Sequence, residues 1–382
     1  MDFPVGYRDF HPDDLINFQI NRWYSLGYCR EADLKRAGEA IDDFEDHTGV
    51  FTELAEEAEG EGRLKHAAFY CRAAEFLTLP NDDRKQTLYT SFRRTFERAF
   101  PADAYDRYTV PYADGQLPVL HVEPGGPAQG TIIAHGGLDS FVECWYGLWH
   151  HFADHGYEVY AFEGPGQGTA HRTHGLPFEH DWENPTGAIL DFFDLRGVSL
   201  LGFSFGGYWY LRAAAFENRI DRVIAAPPLF DLLKSESAFS QWLARLMMRS
   251  ERLMNAAIRL QMKLSTVANF YMQHILFTTN RTSPYEAAEW VLAMNDGHLH
   301  SDRVTQDVLL TVGENDAFQP PALLRLQADA LTQARSVTTR VFTEDEQANQ
   351  HCQVGNLGLA LDVMTSWLDE HTADNPAACT QP

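Results

Sequence analysis

Four mostly apolar residues, Val198-Ser-Leu-Leu201, run into Gly202-Phe203-Ser204-Phe205-Gly206, and a helix-like segment, Tyr208 to Phe216, follows. This order of strand, sharp turn and helix constrains the fold more than any other stretch of the chain. A serine at the apex of a strained strand-to-helix turn needs glycines at the flanking positions, because side chains there would collide with the backbone. The turn lifts the hydroxyl above the sheet edge and points the first N–H groups of the helix at whatever the hydroxyl attacks. Gly207 lets the helix pack closely on the strand. Gly-x-Ser-x-Gly is short enough to arise by chance in glycine-rich loops. The strand before it and the helix after it make Ser204 a candidate nucleophile.

Around this turn the chain alternates. Residues 1–100 read as a helical domain, with apolar stripes at Leu34, Ala37, Ile41 and Phe44, at Leu64, Ala67, Ala68, Cys71 and Ala74, and at Phe92, Phe96 and Phe100. Residues 101–229 then carry strand patterns: Tyr108 to Tyr112 and Leu117 to Val122 around a tight turn, Gly130 to Ala134, Tyr157 to Phe162, the Ser204 strand, and Arg222 to Ala226. An apolar-faced helix from Phe141 to Phe152 and another near Thr186 to Leu195 lie between them. Residues 230–305 break the rhythm, being helical and rich in Leu, Met and Phe. Strands resume in 306–371 at Asp307 to Val312 and Thr339 to Phe342, and a last helix runs from about Leu357 to Asp369. The tail, 372–382, reads as disordered. Strands alternating with helices predict an α/β fold, a mostly parallel sheet covered on both faces. The helical insertion is most simply a cap over the carboxyl ends of the strands, where such sheets bind ligands.

Composition narrows the function. A net charge of −24 on 382 residues repels phosphate backbones and anionic membranes, so no nucleic-acid and no membrane partner is expected. No apolar run is long enough to span a bilayer, and the N-terminus lacks the pattern of a signal peptide. Five cysteines without CxxC spacing read as reduced thiols in the cytoplasm. His171 with His174, or His298 with His300, could be drawn as metal ligands, but no matching carboxylate or thiolate spacing accompanies them. No metal and no cofactor is expected.

A serine hydroxyl is a weak nucleophile until a base takes its proton, usually a histidine oriented by a carboxylate. In a sheet with this turn the order is serine, acid, histidine. The acid should stand just past a late strand, where Thr311-Val-Gly-Glu-Asn-Asp316 offers Asp316, with Glu314 as rival. The base should follow the last strand. His351 is the one histidine between Glu346 and Asn356; His371 comes too late, and the other histidines read as surface or satisfied core residues. The oxyanion of a tetrahedral intermediate needs two backbone donors. Phe205 supplies one, and the His135-Gly-Gly-Leu138 turn supplies the other through Gly137 or Leu138.

Taken together, "GGLDS" (Gly136 to Ser140), "GPGQG" (Gly164 to Gly168), "GFSFGG" (Gly202 to Gly207) and "HCQVGN" (His351 to Asn356), behind a helical N-terminal domain, resemble one branch of the α/β-hydrolase superfamily. It is the branch of 2,6-dihydroxypseudooxynicotine hydrolase, the fungal polyketide-shortening hydrolases and the FrsA-like esterases, and the resemblance covers nearly the whole chain. It implies a triad of Ser204, Asp316 and His351, with Phe205 and Leu138 at the oxyanion hole. It implies cleavage of a carbon–carbon bond in an aryl β-diketone-like substrate, aromatic or polyketide-like, with a carboxylesterase acting on a bulky aromatic ester as the alternative. N-terminal and cap domains that close over the site are implied as well, and a cap carboxylate such as Glu236 is a weaker candidate for substrate contact. The resemblance and the apolar N-terminal stripes predict a homodimer. Rival classes are a binding or regulatory protein on the same fold, and a lyase or acyl transferase using the same turn.

Overall fold

The computed structural model describes residues 3–101 and 104–373. Eight strands form one sheet: β1 (Asp106–Tyr112), β2 (Gly115–Val122), β3 (Gly130–His135), β4 (Tyr157–Phe162), β5 (Val198–Phe203), β6 (Ile220–Ala226), β7 (Asp307–Gly313) and β8 (Ser336–Phe342). Their order is β1-β2-β4-β3-β5-β6-β7-β8. The β1–β2 and β2–β4 pairs are antiparallel and the rest parallel. The central strand β5 is buried at every residue, as expected where helices cover both faces.

Five helices precede the sheet: α1 (Asp14–Ser25), α2 (Glu31–Ala40), α3 (Asp46–Gly60), α4 (Leu64–Leu77) and α5 (Arg84–Ala99). They share a hydrophobic core with one face of the sheet, and Phe92 meets Phe141 at a ring separation of 5.8 Å. The expected stripe over Leu34 to Phe44 is cut short. α2 stops at Ala40, and Ile41 turns to extended geometry (φ −89°, ψ 114°). The stripes of α4 and α5 are filled from within the chain, so they offer no free surface to a second copy.

α1 carries no simple stripe. Asp13 caps it by accepting from the N–H groups of Leu15 and Ile16, both at 3.0 Å. Asn17 and Asn21, one turn apart on its inner face, receive the N–H groups of Phe10 and Arg8, each at 2.8 Å. Those bonds fix the leading segment across the helix. The far end is joined to another part of the chain, where Gly355 N–H donates to Ser25 Oγ at 2.9 Å.

Between β6 and β7 the chain leaves the sheet for four longer helices, Ala238–Met247, Glu251–Leu264, Thr266–Thr278 and Pro284–Ala293. The segment expected as one helix from Phe141 starts as a 3-10 turn, Val142–Trp145, before Tyr146–Asp154, and the helix placed near Thr186 runs over Glu183–Phe192. The last helix, Leu357–Ala373, extends beyond Asp369 and takes in the start of the expected tail; the rest of that tail lies outside the described residues. Among the described residues no helix is long and apolar enough to cross a membrane. Cys29, Cys71, Cys144 and Cys352 are buried free thiols, and Cys379 lies outside the described residues.

Candidate active site

The turn after β5 takes the form its glycines require. Ser204 sits at φ 57°, ψ −123°, a strained conformation for a residue with a side chain. A Cβ on Gly202 would lie 2.2 Å from the Gly206 carbonyl oxygen, and one on Gly207 would lie 2.5 Å from that of Pro227. The helix Phe205–Ala214 starts directly after the serine, so its first N–H groups have no intrahelical acceptor.

Two loops bring the partners. Asp316 follows β7 and His351 follows β8. His351 Nε2 lies 3.0 Å from Ser204 Oγ, and His351 Nδ1–H donates to Asp316 Oδ2 at 2.8 Å. Because a carboxylate only accepts, the neutral ring carries its proton on Nδ1 and leaves Nε2 free to accept. The second oxygen of Asp316 accepts from the N–H groups of Phe318 (2.9 Å) and Gln319 (2.8 Å). Those bonds fix the carboxylate and hence the ring. Burial pushes the His351 imidazole down, but the Asp316 charge and then Cys352 outweigh it, and the group is raised to about 10. Glu314 is exposed and caps the Glu344 backbone instead. His371 bonds the Trp367 carbonyl one turn back in its own helix. His171 and His180 likewise satisfy backbone carbonyls, those of Leu176 and Trp290.

The His135–Leu138 turn lies against the serine. A Cβ on Gly137 would stand 2.7 Å from Ser204 Cβ, 3.0 Å from its Oγ and 3.1 Å from Phe205 N. Only glycine leaves the space beside the serine hydroxyl open. The N–H groups of Phe205, Gly137 and Leu138 bond to no acceptor among the described residues.

Sequence reasoning missed what holds this turn. Gln167, the polar residue of Gly164-Pro-Gly-Gln-Gly168, is buried, and its Nε2 donates to the carbonyls of Gly136 (2.9 Å) and Gly137 (2.8 Å). Its Oε1 accepts from Gly164 N–H at 2.9 Å. With those carbonyls engaged from behind, the turn is fixed in orientation. A glutamine between glycines, in a loop at the carboxyl end of a strand, was the available signal.

Asp139, adjoining Leu138 at φ +48°, anchors the same turn to the N-terminal helices. Its carboxylate meets Lys85 at 3.4 Å and Arg172 at 3.0 Å, with His274 of the cap at 3.8 Å. Glu75 faces Arg72, Lys85 (3.2 Å) and Arg172 (2.6 Å). All are buried or nearly so. Burial pushes Asp139 up, but Lys85, Arg172 and Arg72 together hold it far below the usual carboxylate range.

Above Ser204 and His351 lies a cavity of about 340 Å³. α1 gives it Phe18, Gln19, Arg22 and Trp23; the insertion gives Tyr271, Ile275 and Val291; the turn gives Gly137 and Leu138. The insertion therefore borders the site as a cap should. Glu236 is exposed and does not line the cavity.

A mostly parallel sheet, a serine on a strained turn after its central strand, and a helical insertion over the strand ends define an α/β hydrolase. The chain belongs to that family, described as the alpha/beta hydrolase family, which matches residues 132–355. It is similar to the hydrolyase poxO of Penicillium oxalicum, 27% identical over 290 residues that make up 69% of this chain and 68% of that one. It is also similar to the alpha/beta hydrolase psoB of Aspergillus fumigatus, 27% identical over 304 residues, 68% of this chain and 66% of that one. The chain thus spans about two thirds of the length of these relatives. The crystal structure of 2,6-dihydroxy-pseudo-oxynicotine hydrolase superposes with a TM-score of 0.65 at 20% identity, covering 91% of this chain and 94% of that one. AbyA5 does so at 0.66 and 19%, covering 96% and 99%. At such identities the likeness speaks to the fold.

Proposed function

We propose that the protein is a serine hydrolase that cleaves a carbon–carbon bond in an aryl β-diketone-like substrate, with Ser204 as nucleophile, His351 as base and Asp316 as its orienting acid. The observation that carries this reading is the hydrogen-bonded line from Asp316 through His351 to Ser204 at an apolar cavity. The aromatic lining of that cavity, with Phe18, Trp23, Tyr271 and Phe318 among its residues, supports a bulky aromatic substrate.

In this reading Ser204 Oγ attacks one carbonyl carbon while its proton passes to His351 Nε2. The carbonyl electron pair moves to oxygen, where the N–H of Phe205 and that of Leu138 or Gly137 receive it; one such donor is worth on the order of 10²–10³ in rate. As the carbonyl re-forms, the carbon–carbon bond breaks. Its electron pair leaves with the departing carbon, which takes the proton from His351. Water, deprotonated by the same ring, then releases the acyl group as a carboxylic acid and restores Ser204.

A fluorophosphonate probe should label Ser204, and Ser204→Ala should abolish both labelling and turnover. Labelling that survives the substitution, or folded protein that stays unlabelled, would remove the nucleophile. With His351 raised to about 10, kcat/KM should climb with pH through the alkaline range as the ring loses its proton. Asp316→Asn should move that limb to lower pH and cut kcat by about 10⁴. The carboxylesterase alternative uses the same residues with an alkoxide as leaving group, and a panel of aromatic esters and 1,3-diketones separates the two.

The homodimer, displaced from the buried N-terminal stripes, has another surface available in the exposed apolar faces of Ala238–Met247 and Glu251–Leu264. Light scattering at micromolar concentration tests it, and a monomer would dismiss it.

A further inference from the structure

One wall of the cavity is chemically unlike the rest. Phe18, Gln19, Arg22 and Trp23 fall at i, i+1, i+4 and i+5 of α1, and so share one face of the helix. Phe18 stands beside the candidate base, its ring 6.4 Å from that of His351. Arg22 is one helical turn, about 5–6 Å, further along.

The Arg22 guanidinium makes no ion pair and no hydrogen bond with any described residue. It lies over aromatic faces, 4.1 Å from the Phe76 ring centre and 5.0 Å from that of Trp23. Among the described residues no carboxylate lines the cavity, and the buried acids Glu75 and Asp139 are already engaged by Lys85, Arg72 and Arg172. Burial, and then the Arg72 charge, push the Arg22 group down, so the cation stands there at a cost that an arriving anion would relieve. Trp23 adds a second open donor: its indole N–H is buried with no partner. Buried polar groups are nearly always paired, and orphans that border a cavity call for an explanation. The oxygen of the Gln19 amide is likewise unpaired.

We propose that Arg22, assisted by the Trp23 indole N–H, is the binding pole for an anionic oxygen on the part of the substrate that leaves, foremost the enolate oxygen of a 1,3-dicarbonyl compound. This rests on the reading of Ser204 as nucleophile and names what that reading lacks, an electron sink. When the acyl carbon–carbon bond breaks, its electron pair flows into the neighbouring carbonyl, forming a carbon–carbon double bond and placing the charge on that oxygen. Arg22 receives the oxygen as the charge arrives. The His351 imidazolium then returns its proton to carbon, and the ketone re-forms. An alkoxide leaving from a simple ester has no such remote charge. A carboxylate carried on the leaving part would use the same pole.

The test compares Arg22→Gln, Arg22→Lys and Trp23→Phe with the parent protein on 1-phenylbutane-1,3-dione and on ethyl benzoate, with fluorophosphonate labelling of Ser204 run beside them. Arg22→Gln should lower kcat on the dione by about 10² and lower ethyl benzoate turnover at least ten-fold less. Arg22→Lys should recover part of the dione activity, and Trp23→Phe should lower it by a smaller factor. A second arm measures inhibition by 3-phenylpropionate and by its neutral amide. If the pole takes a ground-state carboxylate, Arg22→Gln weakens the acid about ten-fold and leaves the amide in place. Equal losses on dione and ester, together with equal changes for acid and amide, would overturn the assignment. Loss of labelling in the parent protein would instead indict the nucleophile, so the two failures are distinguishable.

Discussion

Two apolar stripes of helical periodicity meet opposite fates in this molecule. On α5 and its cap residue, Phe92, Phe96 and Phe100 recur every four residues, and all three are buried. On the insertion, Phe239, Trp242, Leu243 and Leu246 follow one helix face, and Leu253, Leu260 and Leu264 the next; Phe239 is 68% and Leu264 80% exposed. Neither of those two helices contains a buried residue. Helical periodicity states that a face wants cover and says nothing of where the cover comes from. The N-terminal face is covered by the chain itself and then braced with buried ions, whereas the cap face is bare. The N-terminal wall of the cavity is therefore fixed, while the bare helices stand outside the cavity, which the insertion borders through Tyr271, Ile275 and Val291; substitutions on the two sides should differ accordingly.

The largest effect is expected on the fixed side. Asp139→Asn leaves Lys85 and Arg172 facing Glu75 alone and should destabilise the fold by about 3–5 kcal/mol, the usual cost of breaking a buried pair from one end. Urea unfolding measures it. A loss under about 1 kcal/mol would mean that the ions do not brace the wall. Next comes Glu163, buried beside Glu143 and held by the N–H of Thr169 at 2.6 Å. Burial, and then Glu143, raise its carboxyl to about 7. A folded-state value above the unfolded one gives stability that is complete below the unfolded value and fades as pH rises through 7. Glu163→Gln removes that loss. The variant should therefore gain on the parent protein by roughly 2–3 kcal/mol between pH 5 and pH 8. A difference in unfolding free energy that stays flat with pH would show the carboxyl to be ionised throughout.

The same contrast explains what the sequence made legible. The sheet, the Ser204 turn and the positions of Asp316 and His351 are local matters of periodicity, glycine placement and chain order, and the structure brings those residues together. α1 escaped notice because Asn17, Gln19 and Asn21 sit among its buried residues, and Ile16, Phe18 and Ile20 alternate as a strand would. Its inward polar groups make sense only with Arg8 and Phe10 bonded across them. Arg72 and Glu75, three apart, look like a surface ion pair in sequence but are wholly buried. The isolation of Arg22 is a statement about side chains that are not near it, which no local pattern contains.

Gln167 offers an intermediate test on the fixed side, read in rate rather than stability. Gln167→Ala strips two backbone carbonyls of their donor and frees the turn that carries Gly137 and Leu138. Misplacing an oxyanion donor without deleting it should lower kcat about 10–50-fold while KM changes little. Gln167→Glu should not rescue, since a carboxylate cannot donate to the two carbonyls. A fall confined to KM would make Gln167 part of the substrate pocket rather than a support of the turn.

The smallest effect belongs to the bare side and decides what the bareness means. Leu253 and Leu260 are 61% and 57% exposed, so folding removes little of their surface from water. At about 25 cal/mol per Å² of apolar area buried, there is little transfer free energy for a polar side chain to forfeit. The double variant Leu253→Gln/Leu260→Gln should then shift monomer stability by less than about 0.5 kcal/mol per site. Two readings of the surface part at this point. If a second copy covers it, the parent protein's melting temperature rises with protein concentration and the variant's does not, because association stabilises by mass action. If nothing covers it, the melting temperatures of both are independent of concentration, and the contrast between the two stripes holds in solution as it does within the single chain.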